Sequence, residues 1–166
     1  MSVVRDWLVA EFDHETAITR RVLERAPAAA WTWTPHERSR PLGGLATHLA
    51  LIPHWGRAIL DHDGYDLALS GPPAPAAAGP ADALARFDAH VADVRRELAR
   101  RTDAELEAPW TLRSGSRDLV SLPRFAALRT FLLSHLVHHR GQMTVYLRLC
   151  GVPLPPIYGP SADESP

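Results

Sequence analysis

The stretch SHLVHHRGQ, residues 134–142, places histidines at 135, 138 and 139 on the longest helix that the sequence predicts. A helix turns about 100° per residue, so His135 and His139 lie about 40° apart on one face and converge on a common point. Leu128, Phe131, Leu132, Gln142, Met143 and Tyr146 fall on the same face, and this spacing predicts that it looks inward. His138 lies about 60° to the other side of His135, at the edge of that stripe. On a second predicted helix near 42–62, His48 groups with Leu45, Ile52, Trp55 and Ile59, so it too is expected to face inward. A single buried histidine is ordinarily satisfied by one hydrogen bond. Three imidazoles facing one apolar interior each need a polar partner, and one divalent cation satisfies all three. The expectation is a metal site inside a helical bundle.

The remaining periodicities supply that bundle. Val4, Trp7, Leu8, Ile18, Val22 and Ala26 recur at helical spacing up to Pro27, with Glu11 and Glu15 inside the stripe. Residues 28–44, with Trp31, Trp33, Pro35 and Pro41, have no sustained period and read as a structured loop. The second helix follows, with Pro53 inside it. The run SGPPAPAAAGPA, residues 70–81, is a linker by composition, too rich in proline for a helix and in small residues for a core. A third helix over about 81–101 carries Leu84, Phe87, Val91, Val94 and Leu98 on one face and charge on the others. Residues 108–120, with a turn at Ser114-Gly115-Ser116, suggest a short extended excursion. The fourth helix is expected from near Ser121, with Pro123 in its first turn, to Cys150. The tail from about 151 to 166 is irregular, with Ile157 and Tyr158 packing back. The fold class expected is all-α, a four-helix bundle with a long connection between helices two and three.

At 166 residues and 46% hydrophobic content, the chain fits one domain spanning 1–166. A formal charge of −1 offers no basic footprint for nucleic acid. Cys150 is the single cysteine, which excludes an internal disulfide and fits a reducing compartment. No stretch reaches the length of a membrane span, and the first residues carry acids where a signal peptide needs an apolar run, so a cytoplasmic location is expected. A di-iron carboxylate centre needs two Glu-x-x-His pairs and two further glutamates, and only Glu11 with His14 fits.

The chain resembles the DinB family, the DinB/YfiT-like metalloenzymes. The resemblance rests on EFDHE in helix one, W-x-P-H-E-x-S at 33–39, LATHLALIPHW at 45–55 and the run from Leu122 to Glu164. It is carried above all by the order His48, then His135 and His139 followed by Arg140-Gly141-Gln142. It implies an up-down-down-up bundle with one divalent metal ion per chain, held by His48, His135 and His139. Three neutral imidazoles leave positions for water or substrate, the arrangement of a catalytic rather than a structural site. Zinc or nickel comes first for such a site, with iron or manganese as alternatives. The catalytic residues are unknown. Gln142, one turn on, is a candidate to orient a water, and Glu11 and Glu15 are candidates to accept the second ring N–H of a ligand histidine.

Relatives in the wider DinB-like group imply a metal-dependent enzyme that activates a low-molecular-weight thiol for transfer to a small electrophile. The competing expectations are a metal-dependent hydrolase of a small molecule and a metal- or ligand-binding stress protein without turnover. Ala126, Leu133 and Val137, opposite the histidines and rimmed by Arg129, Thr130, Arg140, Thr144 and Arg148, suggest a homodimer packed through helix four.

Overall fold

In a computed structural model, which describes residues 2–165, four long helical stretches share one apolar core. They are α1 (Val3–Leu23), α2 (Leu42–Asp61), α3 (Pro80–Leu98) and a rod made of α5 (Arg124–Leu128), a π-turn (Arg129–Ser134) and α6 (His135–Leu149). A short helix α4 (Asp103–Glu107), three strands, β1 (Gly64–Asp66), β2 (Pro109–Ser114) and β3 (Arg117–Pro123), and two 3-10 turns (Ala28–Ala30 and Leu67–Leu69) accompany them. Side-chain pairs fix the helix senses. Arg20 meets Asp88 and Asp13 meets Arg95, so α1 and α3 run oppositely. His48 meets His135 while the carbonyl of Ile59 meets Arg124, so α2 opposes the rod. Glu11 meets Arg129 and Glu15 meets Arg140, so the rod runs with α1. The order is up, down, down, up, which requires the long α2–α3 connection that the sequence predicts.

The chain is mostly helical and not wholly so. β2 and β3 form an antiparallel hairpin and β1 pairs parallel to β2. The hairpin turns at Gly115, whose φ of +59° suits a residue without a Cβ. The extended excursion predicted at 108–120 is thus a hairpin, and it displaces the expected helix start at Ser121 to Arg124, with Pro123 closing β3. Arg124 is buried because it serves as a clamp. Its guanidinium donates to the carbonyls of Ile59 and His62 at the end of α2 and pairs with Asp63 at 2.7 Å. At the same end of the bundle Asp103 accepts from the backbone N–H groups of Val4 and Arg5, satisfying donors at the start of α1 that have no partner inside the helix.

Three surface expectations change. Trp7, placed in the core stripe, is 54% exposed. The linker is anchored: Ala77 is buried, donates its N–H to Thr47 Oγ1 at 3.0 Å and accepts from Trp31 Nε1 at 3.2 Å. The strip proposed as a dimer interface is not an outer surface, because Leu133 lies in the core and Ala126 and Val137 are half-buried. Its expected rim residue Arg140 is buried as well. Leu133 is thus a core residue, and Leu133→Arg is expected to unfold the chain.

Close helix contacts set the site. α2 packs against the rod where Gly56 faces Leu132, and a Cβ at Gly56 would stand 2.7 Å from Leu132 Cδ2. At Gly43 an added Cβ would meet the Trp31 ring at 2.4–2.6 Å. Gly43→Ala is expected to destabilise by about 1–3 kcal/mol through overpacking against a rigid ring, read as a lower urea midpoint. An unchanged midpoint would contradict that packing.

Candidate metal centre

α2 carries His48 in its middle, and α6 carries His135 and His139 in its first two turns. Their ligand-capable nitrogens all lie within 4.8 Å of one another. Nε2 of His48 stands 3.2 Å from Nε2 of His135, and the His48 and His139 ring centroids are 4.4 Å apart. Two imidazole nitrogens bound to one tetrahedral ion at about 2.0–2.1 Å stand about 3.4 Å apart. The donor set and spacing therefore fit a divalent ion. His138, by contrast, is exposed and only packs its ring edge-on to His139.

One outward nitrogen is held by a neighbour on the same helix. His139 Nδ1 lies 2.7 Å from Gln142 Oε1 and donates to it. An amide oxygen can only accept, so it fixes a proton on His139 Nδ1 and leaves the Nε2 lone pair of that ring free toward the cluster. Gln142 thus orients a histidine directly. The two acids take other roles, and neither bonds to any of the three rings. Glu15 pairs with Arg140 at 2.7 Å and accepts from Tyr158 Oη at 2.8 Å. Glu11 faces Arg129 at 3.3 Å, with its second carboxylate oxygen buried and unpartnered.

The three rings are half-buried, and the helix explains why. On α6 the buried residues Leu136, Arg140, Met143 and Leu147 lie between roughly 80° and 140° around the axis from His135. His139, Gln142 and Tyr146 cluster within about 40° of it. The histidine face flanks the core stripe rather than forming its centre, so one side of the cluster opens outward. Trp33 and Tyr146, edge to face at 5.7 Å, stand on the same flank.

Burial holds all three rings below the ordinary imidazole range. His48 is lowered to about 4, first by desolvation, then by its neighbours His139 and His135 and by Arg40. His135 and His139 are lowered by desolvation, partly opposed by Phe131 and Gln142 respectively. The rings are thus neutral at pH 7, the form that binds metal. Because the folded chain keeps His48 neutral where the unfolded chain protonates it, stability of the metal-free fold is full above about pH 6.5 and falls as pH drops toward 4. The loss from His48 between pH 7 and 4.5 is expected to be about 1 kcal/mol after discounting for partial exposure. Urea titrations at the two pH values measure it, and His48→Gln should reduce it.

Fold and cluster together define a helical bundle with a three-histidine, metal-competent centre. The chain belongs to the DinB family, whose sequence profile matches residues 1–166. It is similar to the uncharacterized protein YrdA of Bacillus subtilis strain 168, with 34% identity over 94 residues. That match covers 55% of this chain and 54% of YrdA, so the chain spans about half the length of the curated relative it matches. Its fold is that of a DinB-like protein from Bacillus cereus ATCC 10987, with a TM-score of 0.72 and 21% identity over 92% of this chain and 97% of that one. A DinB-like protein of Bacillus subtilis, YjoA, gives 0.70 and 17% over 90% and 95%. Among the described residues no helix is long and apolar enough to cross a membrane.

Proposed function

We propose that this chain is a metal-dependent enzyme that activates a small thiol for transfer to a small electrophile, with His48, His135 and His139 holding one divalent ion. The observation that carries the reading is the convergence of the ligand-capable nitrogens of three neutral imidazoles on a face that stays open on one side. Zinc or nickel suits three imidazoles best, with iron or manganese admissible. A divalent ion with open positions lowers the pKa of a thiol that reaches it and so supplies a nucleophile at neutral pH. The chain's own residues supply the setting. Gln142 fixes the His139 ring, and Trp33 with Tyr146 forms an aromatic wall on the same flank.

Hydrolysis is the second reading, since water can take the same open position. The thiol reading is favoured because no carboxylate among the described residues bonds to the rings, and none contributes to the charge acting on them, where a general base for water would belong. The test is a conjugation assay with mycothiol, bacillithiol or glutathione and a chloro-dinitro-aromatic, with and without chelator. Chelator-sensitive thiol conjugation is the expected result. Metal-dependent ester or amide hydrolysis without conjugation would shift the assignment to a hydrolase. Stoichiometric metal without either activity would leave a binding protein.

A further inference from the structure

Three imidazoles bring no negative charge to a divalent ion. The groups that act on the rings by charge are other histidines and Arg40, which acts on both His48 and His139. Arg40 ends the loop that leads into α2, and its Cβ would stand 3.7 Å from a Cβ placed on Gly44. Gly44 lies one helical turn before His48 on the same face, so the Arg40 side chain starts beside the open flank of the cluster. The loop is held there by its backbone: Leu42 N–H donates to the Trp33 carbonyl and Gly43 N–H to that of Trp31, each at 2.8 Å. Trp33 in turn packs on Tyr146.

Arg40 is also uncommitted. The rod's arginines at 124, 129, 140 and 148 each pair with an acid, Asp63, Glu11, Glu15 and Asp163 respectively. Arg40 is exposed and has no carboxylate in salt-bridge reach among the described residues. A cation without a partner beside an uncompensated dication makes the flank selective for anions. A planar guanidinium with paired N–H donors matches a carboxylate in geometry as well as charge.

We propose that Arg40 is the specificity-determining residue of the centre, forming an ion pair with a carboxylate carried by the thiol substrate. This rests on the reading that the three histidines hold a metal open to a thiol. The probes are 3-mercaptopropionate, which carries a carboxylate, and 2-mercaptoethanol, which does not. Each is titrated into the cobalt(II)-loaded chain while the thiolate-to-cobalt absorption is followed. The wild-type chain is expected to prefer 3-mercaptopropionate by about tenfold, the scale of one charge-assisted hydrogen bond. Arg40→Gln should bind cobalt as before and lose the preference, and Arg40→Lys, which keeps the charge without the paired donors, should keep only part of it. A preference that survives Arg40→Gln, or none in the wild type, overturns the role of Arg40 and leaves the metal reading standing. Cobalt uptake without thiolate absorption for either probe overturns the thiol reading and this one with it. No cobalt uptake overturns the metal reading on which both rest.

Discussion

Alanine at His48, His135 or His139 is expected to leave the chain folded and to abolish stoichiometric metal uptake, whereas His138→Ala keeps it. Under the proposed assignment three ligands are the minimum set, and among the described residues no fourth His, Cys, Asp or Glu joins the cluster to compensate. Loss of a group that merely orients a ligand weakens metal binding about 10–100-fold, and that is the range expected for Gln142→Ala, which removes the acceptor for His139 Nδ1. Loss of a ligand should exceed it, taking affinity down by more than about 100-fold. The fold should tolerate the change because each ring is only half-buried and desolvation works against its charged form. Metal content of each variant after equilibrium dialysis is the measurement. Equal losses at all four histidines would mean that the ligand set is wrong.

Glu15→Ala is expected to destabilise the chain by about 3–5 kcal/mol, because it strands a buried guanidinium. Arg140 is 2% exposed and Glu15 6%. Their contact is reinforced by Arg140 donating to the Glu15 carbonyl at 3.1 Å and to Thr19 Oγ1 at 3.3 Å, and by the Tyr158 hydroxyl, which meets both side chains. The network ties α1, α6 and the C-terminal tail together. Replacing both charges with apolar groups of similar volume, Glu15→Leu with Arg140→Met, should recover most of the loss, since two desolvated charges are removed together. Tyr158→Phe should cost about 1–2 kcal/mol, since it removes the hydroxyl's hydrogen bonds to Glu15 and from Arg140. Urea unfolding of the four proteins measures this, and a Glu15→Ala change below about 1 kcal/mol would contradict the buried pair.

The histidine spacing made the helix pair and its convergence legible in the sequence, because His135 and His139 share a face whatever surrounds them. Depth was harder to read. Counting apolar residues around His135 placed the cluster at the centre of the inward face, while the structure puts that centre about 100° away, at Leu136, Arg140, Met143 and Leu147. The error came from Arg140, which reads as surface on charge alone and is buried only because Glu15 on α1 neutralises it. A signal was present, since an acid inside the α1 stripe needs a cation opposite. Arg124 escaped for the same reason: its partners are carbonyls at the end of α2, 59 and 62, that no local pattern reveals. Ala77 reads as linker by composition, and only its contact with Thr47 and Trp31 makes it core. The hairpin was visible as a turn with flanking extended residues, but its second strand reaches to Pro123 and took what proline suggested was a helix start.

The most direct test of a three-histidine metal centre is the X-ray absorption spectrum of the zinc-loaded protein, recorded for the wild type and for His48→Ala. Three imidazole nitrogens at about 2.0–2.1 Å, with the multiple-scattering pattern of histidine rings and one or more oxygen ligands, are expected in the wild type. His48→Ala should show two imidazoles or no bound zinc. A wild-type spectrum with oxygen neighbours alone, or one unchanged by His48→Ala, would contradict it.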